Sequence, residues 1–127
     1  GAVMAWSDMG RQAWKAAVDL GKLRNRRSCV SRAYYAAFSA VTAEIRKITT
    51  DFPKGFEHPP HPQLGKAVKK HLTHFSKHDR DELRDALSRL YSARLDADYR
   101  HEAEPDADST RNALRDARYV LQSMGEI

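Results

Sequence analysis

One helical segment of this 127-residue chain exchanges leucines for polar side chains part-way along. Leu83, Leu87 and Leu90 recur at three- and four-residue steps, and the same spacing then lands on Arg94, Ala97, Asp98 and His101. Metal-free cleavage of RNA needs a base for the ribose hydroxyl, an acid for the leaving oxygen and a cation for the crowded phosphate. His101 suits either proton-transfer role, because imidazole titrates near neutrality. Arg94 suits the third, because a guanidinium stays charged and its fork grips two phosphate oxygens. Six residues separate the two. That is roughly two helical turns, so both side chains address one cleft if the helix continues or turns gently at Tyr99. Asp98, one turn beyond Arg94, is the carboxylate that would orient the guanidinium. The plainer alternative is a helix-end ion pair between Arg94 and Asp98, with His101 exposed past the terminus. Acid and base together require two imidazoles, so the catalytic reading requires a homodimer that joins two copies of this helix end.

Other chemistry-bearing residues are weighed beside this pair. Ser31-Arg32-Ala33-Tyr34-Tyr35-Ala36-Ala37-Phe38 sets a charge and two phenols in a small, apolar helix. Tyr34 and Tyr35 are expected to bury their rings and direct hydroxyls to a partner, with Arg32 paired to Asp96 or Asp98, a supporting rather than ligand-contacting role that Tyr99 shares. Lys22, Arg24, Arg26 and Arg27 form the densest basic cluster and are the candidate RNA-binding residues; a solvated helix connection is the competing explanation. His71, His74 and His78 have helical spacing, but no thiolate supports them and Lys69, Lys70 and Lys77 oppose a cation, so no metal site is expected. His58 and His61 lie in a proline-rich stretch, where exposure is the default. No cofactor is expected.

The elements that must position these groups are helical throughout. Met9, Ala13, Ala16, Leu20 and Leu23 mark a first helix from Ser7 to about Leu23, with Ser7 or Asp8 as its cap. A second opens at Ser28 with the stripe Val30, Tyr34, Ala37, Val41, Ile45 and Ile48, while Ala33, Ala36 and Ala40 keep a neighbouring face small enough for packing on more than one side. Pro53, Gly55, Pro59, Pro60 and Pro62 make Thr49 to Pro62 a loop. Leu64, Val68, Leu72 and Phe75 define a short third helix, Ser76 to Asp79 supplies a polar connection with a cap, and the fourth helix follows. The acidic stretch Glu102 to Asp108 precedes a last helix, capped by Asp108 or Ser109, with Leu114, Ala117, Leu121 and Met124 in register and Gly125 as its stop. No segment has strand periodicity. The expected architecture is all-α, one domain spanning residues 1–127 in a four- to five-helix antiparallel bundle, with residues 1–6 disordered or foreign to the natural chain.

Composition narrows the setting. The net charge of +5 favours an anionic partner, RNA or a nucleotide, and no apolar run reaches the roughly 20 residues that a membrane span needs. Cys29 is the single cysteine and no secretory signal is visible, which favours a reducing, cytoplasmic location.

The run SRAYYAAFSA (Ser31 to Ala40), followed by His61 and then by RLDADY (Arg94 to Tyr99), resembles the HEPN domain family over about Cys29 to Met124. The resemblance implies a helical bundle, usually dimeric, often paired with a nucleotidyltransferase in a toxin-antitoxin or stress module. It also implies, for many members, metal-independent endoribonuclease activity carried by an arginine followed after four to six residues by a histidine, an interval that Arg94 and His101 match. The alternatives are a catalytically silent helical module that pairs with a nucleotidyltransferase or binds a nucleotide, and a purely structural dimer.

Overall fold

The computed structural model describes residues 5–102 and 104–127. Among the described residues the chain forms five helices, α1 (Trp6–Lys22), α2 (Arg26–Arg46), α3 (Leu64–His71), α4 (Lys77–Tyr99) and α5 (Ala107–Ser123), with a 3-10 turn at His61–Gln63 and no strand. The all-α bundle read from the sequence is therefore the observed architecture. Contacts fix the directions: Gly10 lies against Ala40 while Gly21 lies against Cys29, so α1 and α2 run antiparallel. Tyr34 meets Tyr91 while Arg27 meets Ala97, and Arg89 meets Asp116 while Ala93 and Asp96 share a groove with Ser109, so α2 with α4, and α4 with α5, do the same.

Helix α2 is the central element. Its expected stripe of Val30, Tyr34, Ala37, Val41 and Ile45 is buried, and so are Ala33, Ala36, Phe38 and Ala40 on the remaining sides. The alanines matter because they admit a neighbouring backbone. A Cβ on Gly10 would stand 3.2 Å from the Ala36 carbonyl oxygen and 3.3 Å from the Ala40 nitrogen, which shows how closely α1 crosses α2. Leu83, Leu87, Leu90 and Ala97 of α4 face the same core, so the register places Arg94 on the inward side, as the leucine spacing predicts.

Several boundaries differ from the sequence reading. Of the first six residues, 1–4 lie outside the described residues, while Trp6 opens α1, one residue ahead of Ser7, and packs edge-on to Phe38 at 5.9 Å and His58 at 5.8 Å. The indole has an apolar wall to cover, and the helix starts early enough to deliver it. Helix α2 begins at Arg26 rather than Ser28, and Ile48 lies beyond its end, 52% exposed. Phe75 falls in the connection after α3. The cap of α5 is Asp106, whose carboxylate accepts the Ser109 amide at 2.7 Å, not Asp108 or Ser109. Any of these short polar residues satisfies a helix start, and the choice fell to the one that the chain geometry presents. Ser76 caps α4 as expected, and Gly125 terminates the last helix with φ of 74°.

Candidate functional site

Arg94 occupies the polar end of the α2–α4 interface. Its Nε lies 2.9 Å from Asp98 Oδ2, and Nη2 donates to the Tyr35 hydroxyl at 3.4 Å. The guanidinium carbon is 5.8, 5.6 and 5.7 Å from the ring centroids of Tyr34, Tyr35 and Tyr99. Aromatic rings stabilise a cation at such distances, and one turn of helix places Asp98 beside Arg94. The Arg94 side chain is 15% exposed. Nε faces Asp98 as an ion pair without hydrogen-bond alignment, and Nη1 makes no hydrogen bond among the described residues. The result is a cation held in place with donors still unengaged.

The imidazole brought to this cluster is His61, not His101. The Tyr34 ring is fully buried and its hydroxyl stands 2.6 Å from His61 Nδ1. His61 stacks on Phe38 with centroids 4.3 Å apart and lies nearly parallel to Tyr91 at 6.4 Å. Burial, then the neighbouring His58, then Arg94 push its pKa below the ordinary 6.5, so it is neutral at neutral pH. Burial likewise raises the Tyr34 phenol and keeps it protonated. The expectation that His58 and His61 are exposed loop residues is thus overturned. Pro59 and Pro60 stiffen the approach, Pro59 is itself buried, and the 3-10 turn starts at His61. That density of prolines around two histidines was the available signal, because a loop held rigid presents its side chains to something fixed.

His101 sits in the turn after α4 and is exposed. Helix α4 ends at Tyr99, so the two-turn alignment of Arg94 with His101 does not extend through a continuous helix. The His101 ring makes no hydrogen bond or ring contact with Arg94 among the described residues; its backbone carbonyl accepts from Arg27 Nη2 at 3.2 Å. Arg27 also donates Nη1 to the carbonyls of Ala97 and Arg100, each at 2.8 Å. It binds carbonyls at the α4 C-terminus that lack a partner within the helix, where the helix dipole favours a cation.

The basic cluster therefore divides. Arg27 turns inward to hold α4, whereas Lys22, Arg24 and Arg26 border a groove between the end of α1 and the start of α5. Arg32 does not pair with Asp96 or Asp98 as expected, since Arg100 takes the first at 3.2 Å and Arg94 the second. Exposed Arg32 instead borders a second groove of about 580 Å³ with Trp6, Tyr35, Phe38, His58 and His61. The spacing of His71, His74 and His78 is broken, because α3 ends at His71 and α4 opens with Lys77. No group of three His, Cys, Asp or Glu side chains among the described residues is arranged to hold a metal ion.

Three segments far apart in the chain, SRAYYAAFSA, His61 and RLDADY, thus meet at one place through Tyr34, Tyr35, His61, Arg94 and Asp98. The HEPN domain family matches residues 3–127. The chain belongs to the HEPN family. A search of curated proteins and one of solved structures returned no match. The HEPN bundle supplies what the cluster needs: α2 contributes the tyrosines, α4 the ion pair, and the turn before α3 the imidazole. No helix among the described residues is long and apolar enough to cross a membrane.

Proposed function

We propose that this HEPN chain is directed at RNA, with Arg94 as the cation that takes a phosphate. One observation carries the reading: Arg94 is nearly covered and fixed by Asp98 and the tyrosines, yet keeps Nη1 without a partner among the described residues. A guanidinium already ordered loses little freedom when it takes an oxyanion. In its catalytic form the proposal is a metal-independent endoribonuclease of a toxin-antitoxin or stress module, located in the cytoplasm and working as a homodimer. The ribose 2′-hydroxyl gives up its proton to a neutral imidazole and attacks the phosphorus; Arg94 stabilises the added charge; a protonated imidazole gives its proton to the leaving 5′-oxygen. His61 has the neutral state that a base needs. His101, exposed after α4, serves as acid only where a second copy brings it to the cluster.

A second reading has its own observation. His101 lies off the helix end and is exposed, which favours a catalytically silent module that binds a nucleotide or pairs with a nucleotidyltransferase. Purified protein incubated with total RNA and chelator separates the two. Cleavage by the wild type that is lost in Arg94→Ala and in both His61→Ala and His101→Ala supports the composite enzyme, and Asp98→Asn then weakens turnover with the fold intact. Loss in Arg94→Ala and His61→Ala alone removes His101 from the mechanism. Equal background in every variant rejects the enzyme and leaves the binding module.

A further inference from the structure

The groove between the end of α1 and the start of α5 has a chemistry unlike that of the Arg94 cluster. It measures about 660 Å³, and Lys22, Arg24 and Arg26 stand around an aliphatic floor that includes Val18, Ala107 and Leu114. None of these three cations has an ion pair or side-chain hydrogen bond among the described residues, although Arg26 acts electrostatically on Asp106. Arg11, Lys47, Lys69, Arg84, Arg89 and Arg100, by contrast, each lie against a carboxylate. Three cations without an ion pair thus border this one groove, beside Arg111, which Asp108 pairs.

Two local features show that this rim is presented rather than loose. Arg24 adopts φ of 58°, a left-handed conformation that favours glycine or asparagine, and the turn around it is pinned by Arg24 N–H to the Gly21 carbonyl at 3.1 Å and Asn25 N–H to the Leu20 carbonyl at 2.9 Å. An arginine at such a position spends backbone energy to put a long cation there. Beside it Leu23 is 77% exposed, the most open large aliphatic side chain among the described residues. Leu23, Val18 and Leu114 give the cations apolar company.

We propose that this groove docks an acidic, leucine-bearing peptide segment of a protein partner. Nucleic acid fits the rim but not the floor. No aromatic ring lines the groove, so unpaired bases find no stacking platform, and a phosphate backbone leaves the aliphatic floor and Leu23 without a partner. A segment that interleaves Glu or Asp with Leu matches both, its carboxylates meeting the three cations and its aliphatic side chains covering the floor. The site lies apart from Arg94 and does not depend on the reading given for that cluster.

The test is fluorescence anisotropy of the full chain with a short fluorescein-labelled peptide of Glu-Glu-Leu repeats, a copy in which every Leu is Ser, and a labelled single-stranded RNA of similar length. The double variant Lys22→Glu, Arg24→Asn alters two exposed residues and gives the left-handed position an asparagine, so folding is preserved. The peptide should bind the wild type and lose about tenfold or more in affinity to the variant, with less loss at high salt, as expected for contacts made through charge. The Ser copy should bind the wild type more weakly than the Leu peptide. Three outcomes overturn the proposal: no difference between wild type and variant, a Ser copy that binds as tightly as the Leu peptide, or RNA that outcompetes the peptide and is itself released by the double variant.

Discussion

Replacing Tyr34 with phenylalanine tests the arrangement on which the candidate site rests. The substitution keeps the ring neighbours Tyr35 at 5.7 Å, Phe38 at 6.0 Å and Tyr91 at 5.6 Å, and deletes only the hydroxyl that stands 2.6 Å from His61 Nδ1. The lost hydrogen bond is worth about 1 kcal/mol net, and leaving the half-buried imidazole nitrogen without its partner costs about 1 kcal/mol more. A destabilisation of about 2 kcal/mol lowers Tm by about 6–10 °C in a chain of this size. In urea the midpoint should fall by about 1 M with an unchanged slope. His61→Phe, which keeps a flat ring over Phe38 while removing both nitrogens, completes a double-mutant cycle with a coupling energy of about 1 kcal/mol. If Tyr34→Phe costs less than about 0.5 kcal/mol, or if the two substitutions simply add, the phenol does not hold the imidazole in solution and the cluster has no proton-transfer group fixed beside Arg94.

Three further outcomes follow from the same geometry. Because the folded chain holds His61 below 6.5 while the unfolded chain does not, the unfolded state binds more protons below that value; the wild-type urea midpoint should be highest above pH 6.5 and fall as the pH drops through the folded value, and a fall of equal size in His61→Phe would assign it elsewhere. Arg27→Met should destabilise the fold by about 1–3 kcal/mol by depriving the Ala97, Arg100 and His101 carbonyls of their donor, whereas a residue reserved for RNA would leave thermal stability unchanged. Gly10→Val should cost about 1–3 kcal/mol by forcing α1 away from Ala36 and Ala40, and an unchanged Tm would show that the crossing is looser than 3.2 Å.

Legibility from sequence followed the range of the interactions involved. The helices, their order and the inward placement of Arg94 were readable, because apolar periodicity acts within a few residues and the leucine register of α4 extends through Arg94. The Asp98 partnership was readable for the same reason, lying one helical turn away. The assignment of Arg32 to Asp96 or Asp98 failed because Arg94 and Arg100, four residues from those carboxylates on the same helix, reach them first. Arg27 looked like a surface cation; its partners include three carbonyls some seventy residues away, as the separations of 70, 73 and 74 positions show.

The amino-acid order by itself determined an all-helical chain, a central helix with small residues on several sides, and a cation on the inner face of the fourth helix. Each of these is set by local repeats of side-chain size and polarity. Which histidine keeps company with that cation was decided only in three dimensions. Spacing along one helix nominated His101, but α4 stops at Tyr99, while a proline-stiffened loop carries His61 across the bundle to Tyr34. Helical periodicity carries no information about where a loop returns; that is fixed by the packing of Trp6, Phe38 and the loop rings against one another, a contact between segments that sequence separation hides.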